Sequence, residues 1–149
     1  VFFFERTGDI AEGERAWGGG GHSDFLYVAK PTAWCQVWDP DQRFAPRVDK
    51  MIEMDGPRIL EGTRALAVLF SGFTSTYGFW LYEDGEIVRH AMFESGERVA
   101  EEGEPLPIEA KVKIPSWGHD EDFIWKVIRA VTDVPHDIEA EFEIVTVST

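Results

Sequence analysis

Asp84-Gly85 is the feature that most restricts the folds open to this chain. It stands between two runs of strand-forming residues, Tyr77–Glu83 and Glu86–Phe93, and Asp-Gly is a preferred pair for a two-residue type I′ turn. Counting outward from that turn sets Tyr82 opposite Ile87, Leu81 opposite Val88, Trp80 opposite Arg89 and Phe79 opposite His90. One face then carries Tyr77, Phe79, Leu81, Val88 and Met92. The other carries Trp80, Tyr82, Ile87, Ala91 and Phe93 around Arg89. Both faces are rich in apolar groups, which places the hairpin inside a sheet and not at its rim. A second turn at Ser95-Gly96 leads into Glu97–Ala100 and extends a meander.

The flanking chain reads in the same terms. Phe2–Arg6, Phe25–Ala29, Ala33–Trp38, Ala65–Phe70 and Ala140–Val147 have strand length and composition. Ile108, Ala110, Val112 and Ile114 alternate with Glu109, Lys111 and Lys113, a half-buried strand pattern, after an acidic loop over Glu101–Pro107. Pro46–Glu53 reads as a short helix ended by Asp55-Gly56-Pro57. Asp120–Val134 is the best helix. Acids fill its first turn, Phe123, Ile124, Val127, Ile128 and Val131 recur at helical spacing, and Pro135 stops it. The expected fold class is α+β: a mainly antiparallel sheet, a meander around the 77–93 hairpin, with one C-terminal helix (about 120–134) packed on a face. The expected organisation is a single domain over 1–149, in which 7–24, containing the Gly18–Gly21 run, forms a flexible loop or arm.

Catalytic motifs fail one by one. Gly18–Gly21 is followed by His22-Ser23-Asp24, not by the Lys-Ser/Thr of a phosphate loop. Asp39-Pro40-Asp41 starts like a calcium loop, but Phe44 and Lys50 stand where glycine and a ligating acid belong. His22, His90, His119 and His136 show no metal-site spacing, so neither a metal nor a cofactor is expected. Cys35, between Trp34 and Gln36 in an expected strand, reads as an inert buried thiol. No catalytic residue emerges, and the sequence points away from an enzyme.

Charge carries more information. The chain has 28 acids and 14 Lys or Arg, net −14. Residues 83–104 hold eight of those acids against Arg89 and Arg98 alone. Such a field repels nucleic acid and anionic membrane and favours basic partners. No stretch has the apolar length of a membrane span. The first residues, Val-Phe-Phe-Phe-Glu, lack the basic segment of an intact secretory signal, and a lone cysteine fits a reducing, cytoplasmic compartment.

The functional expectation is a non-enzymatic, acidic protein-binding module, an immunity-type inhibitor of a basic toxin or nuclease being the concrete case. Trp80, Tyr82, Glu83, Asp84, Glu86, Glu101, Glu102 and Glu104 are the expected partner-binding residues, with aromatic anchors inside a charged rim. In acidity and size the chain resembles small bacterial immunity proteins of toxin–immunity pairs, a likeness of composition that assigns no residue roles. Two other readings stay open. One is a small-molecule-binding domain or enzyme with a pocket between sheet and helix, using His90 or His119. The other is a structural or assembly subunit whose aromatic strands are buried in a homo-oligomer.

Overall fold

The computed structural model describes residues 2–5, 25–29, 34–39, 45–134 and 142–146. The expectations for the 7–24 arm, Gly18–Gly21, His22, Pro40-Asp41, Pro135 and His136 lie outside these. Strands β1 (Phe2–Glu5), β2 (Phe25–Ala29), β3 (Trp34–Trp38), β4 (Arg64–Ser71), β5 (Thr76–Glu83), β6 (Glu86–Glu94), β7 (Glu97–Glu102) and β8 (Phe142–Thr146) form one sheet. Their order is β7-β6-β5-β4-β1-β3-β2-β8. Each neighbouring pair is antiparallel, as the α+β reading expects. Helices α1 (Ala45–Ile59), α2 (Pro107–Lys111) and α3 (Glu121–Thr132) complete the described chain.

Helix α3 forms for the reasons its sequence gives. The Asp120 carboxylate accepts the Phe123 N–H at 3.2 Å, and Glu121 and Asp122 lie at the positive end of the helix dipole. Its apolar stripe of Phe123, Ile124, Val127 and Ile128 packs on Leu66, Val68, Phe79, Leu81, Ala91 and Phe93 of the meander. Burying each large side chain there contributes about 1.5–3 kcal/mol. A second, smaller cluster forms on the opposite side of the sheet, where Ile52 and Leu60 cover Ala65, Ala67 and Tyr82.

Both two-residue turns have the positive φ angles of type I′. Asp84 and Gly85 adopt φ of 51° and 81°, Ser95 and Gly96 of 51° and 85°. The hairpin's register nevertheless departs from simple counting. Tyr82 pairs with Ile87, but Leu81 pairs with Arg89, so Val88 is an extra residue in β6. This β-bulge moves every later residue of β6 to the other face. Arg89, Ala91 and Phe93 join Tyr77, Phe79 and Leu81 beneath α2 and α3, while His90 and Met92 join Trp80 and Tyr82. The expected pairings of Trp80 with Arg89 and of Phe79 with His90 are therefore corrected to Trp80 with His90 and Phe79 with Ala91.

Two further expectations change. The alternating segment 108–114 begins with helix α2 and is not a strand. Pro107 suits a helix start, and the Glu109 carboxylate accepts the Leu106 N–H at 2.8 Å. Glu101 and Glu102 belong to β7 and not to a loop. Asp55-Gly56-Pro57 ends the first helical stretch of α1, as expected, and a short second turn follows the break. Asp55 leaves helical geometry (φ −150°), and the Leu60 N–H then bonds Gly56 O at 2.8 Å.

Candidate partner-binding surface

The bulge turns Arg89 inward, and its surroundings account for every part of the guanidinium. Nε and Nη2 donate to the two Glu109 carboxylate oxygens at 2.8 and 2.7 Å, and Nη2 also reaches Glu101 at 3.1 Å. Nη1 donates to the carbonyls of Gly103 at 2.9 Å and Glu102 at 3.3 Å. The Arg89 and Glu109 side chains are 1% and 4% exposed. The hydrogen bond that Arg89 donates to Glu109 contributes most to raising Arg89 above its ordinary pKa. Burial on its own would raise the Glu109 carboxyl. The hydrogen bonds from Arg89 and from the Leu106 N–H, with the charges of Arg89 and Arg98, outweigh it and hold that carboxyl below its usual range. Arg98 pairs with Glu101 at 3.0 Å. Both cations of residues 83–104 are thus committed to Glu101 and Glu109.

The acids left over are exposed. Glu83, Glu86, Glu94, Glu97, Glu102 and Glu104 make no ion pair among the described residues. Glu83 and Glu86 stand directly opposite one another across the hairpin, and Glu102 lies on β7, the end strand of the sheet order.

Of the eight residues expected at an interface, the fold separates three from the rest. Tyr82 is buried at 6% under α1 and is a core residue. Asp84 is committed to structure: its carboxylate accepts the Gly62 N–H at 2.7 Å, and its own N–H donates to Thr63 O at 3.1 Å. Glu101 is neutralised by Arg89 and Arg98. Glu83, Glu86, Glu102 and Glu104 remain exposed, and Trp80 is half-buried against the α1 cluster. Trp80 and Glu102 share one cross-strand row, Trp80–His90–Glu102, on the face away from α3. The His90 ring stacks on Trp80 with centroids 4.6 Å apart and planes 12° from parallel. Its Nδ1 lies 3.0 Å from Phe79 O, and since a carbonyl can only accept, Nδ1–H is the donor. His90 is the residue that sequence reasoning misplaced. A register counted without a bulge puts it beside Phe79.

Other chemistry finds less support in the geometry. His119 stacks on Phe93 at 4.1 Å, lies edge-on to Phe123, and places Nδ1 3.1 Å from Gly96 O, which fixes a turn. A depression of about 210 Å3 lies between residues 112–117 and the first turn of α3, with Trp117, Asp120, Asp122 and Lys126 among its lining; neither His90 nor His119 lines it. Among the described residues no group of three or more His, Cys, Asp or Glu is placed to hold a metal ion, and no helix is long and apolar enough to cross a membrane. Compared with known proteins, the chain matches no family model, no curated protein and no solved structure.

Proposed function

We propose that the chain is an acidic protein-binding module whose contact surface is the β5–β6 turn together with the outer face of β6 and β7. Its partner is a basic protein, and occupation of a toxin's or nuclease's basic active surface is the form of action that fits best. The observation that carries this reading is the segregation of charge. Arg89 is drawn inward, Arg98 at the surface is committed to Glu101 and Glu109, and Glu86, Glu94, Glu97, Glu102 and Glu104 are left exposed with no ion pair among the described residues.

Edge protection alone accounts for part of this pattern, because charged side chains and bulges keep end strands from pairing with other chains. It explains acids on β7. It does not explain Glu86 at the turn, where no edge needs guarding and Glu86 directly opposes Glu83, a pairing that is destabilising by about 0.2–1 kcal/mol and that Arg64, across β4 from Glu83, offsets only from the far side. Local conflict of this kind is expected where function, not folding, selects the residues.

The test compares two variants of equal charge: Glu86→Gln/Glu102→Gln/Glu104→Gln and Glu53→Gln/Glu61→Gln/Asp122→Asn. A basic protein captured by the immobilised wild-type chain should associate about tenfold more slowly with the first variant, with a flatter salt dependence, and at a near wild-type rate with the second. Equal slowing by both would reduce the effect to net charge and overturn the reading.

A further inference from the structure

We infer that the Trp80–His90–Glu102 row is a subsite for a planar cation, the guanidinium of a partner's arginine. The inference rests on the acidic-surface reading above and adds the chemistry of what that surface holds. Adjacent strands lie about 4.8 Å apart, and the 4.6 Å separation of Trp80 and His90 means that each ring occupies one rung of the ladder. The stack is closed at one end, where Trp80 packs against the α1 cluster. At the other end the next rung is Glu102, the cross-strand partner of His90, an exposed carboxylate without an ion pair among the described residues.

A guanidinium fits that rung in two ways at once. Its plane lies on the imidazole, continuing the stack, and its N–H groups meet the Glu102 carboxylate in the fork geometry that favours arginine over lysine. The His90 ring is held for this by the bond between its Nδ1–H and Phe79 O. On the same face, Ala100 opposite Met92 leaves a low apolar floor beside the row, which suits the aliphatic stem of an incoming arginine. Glu104, two residues further on, keeps the approach acidic. The partner presented here is therefore an arginine-bearing basic surface, not merely a positively charged one.

Blocked triarginine, titrated into the isotopically labelled full chain, tests the assignment by NMR, with tricitrulline as the uncharged isostere and trilysine as the charge control. Triarginine should shift the His90 imidazole and Trp80 indole resonances saturably, trilysine should bind several-fold more weakly, and tricitrulline should not bind. Glu102→Gln, a surface change, should weaken triarginine about fivefold or more, whereas Glu53→Gln should leave it within twofold. Shifts confined to residues 83–86, with Trp80 and His90 silent, would overturn the subsite while leaving the acidic surface standing. So would equal affinity for trilysine, or indifference to Glu102→Gln.

Discussion

Arg89 and Glu109, on β6 and α2, form a two-bond ion pair at 2.8 and 2.7 Å with almost no access to solvent. The pair joins helix α2, too short to persist alone, to the centre of the meander. The same arginine also holds the carbonyls that end β7. A charge buried this deeply is tolerated only with its partners in place.

Arg89→Met should therefore destabilise the protein by about 3–5 kcal/mol in urea unfolding, since it strands the Glu109 carboxylate. Arg89→Met combined with Glu109→Met should recover a large part of that loss. A double variant as unstable as the sum of its parts would show that the carbonyl contacts, not the ion pair, hold the site.

Glu109 also sets a direction for pH. Its folded-state pKa is lowered below the ordinary value of 4.5. The stability it contributes is therefore fully present above that value and is lost as pH falls through the lower folded one. The gap in unfolding free energy between wild type and Glu109→Gln should stay constant from neutral pH down to about 5 and then narrow. A gap that widened on acidification would reverse the assignment.

Gly85 and Gly56 meet back to back. A Cβ on Gly85, already at φ +81°, would lie 2.0 Å from the Gly56 carbonyl carbon, and one on Gly56 would lie 2.8 Å from Gly85 O. Gly62, at φ +69°, has nothing within 4 Å of its would-be Cβ. Gly62→Ala should thus cost about 1 kcal/mol of backbone strain, and Gly85→Ala distinctly more, because the hairpin turn must lift from the α1 kink. Thermal midpoints of the two variants decide this.

Asp84 and Glu83 are neighbours with different duties. Asp84→Ala removes the acceptor for the Gly62 N–H and should cost about 1 kcal/mol of stability. Glu83→Ala relieves the repulsion with Glu86 and removes the attraction to Arg64 across β4, so the two offset and stability should change by less than about 0.5 kcal/mol, while association with a basic partner slows. Chemical denaturation and binding kinetics on the same two proteins separate the roles.

What the sequence determined by itself was local. Asp84-Gly85 and Ser95-Gly96 specify turns because both central residues need positive φ, and the spacing of Phe123, Ile124, Val127 and Ile128 specifies a helix with one buried stripe. The excess of carboxylates over residues 83–104 was equally legible, since charge needs no fold to be counted. The tertiary structure alone decided which of those charges survive at the surface. One extra residue, Val88, rotates Arg89 into the core and His90 out beside Trp80. No propensity announces it, because a bulge is chosen by what the displaced side chains meet across the sheet. Here Glu109, twenty residues away, supplies that reason. A strand with apolar groups on both faces fits either register, and the buried ion pair selects between them.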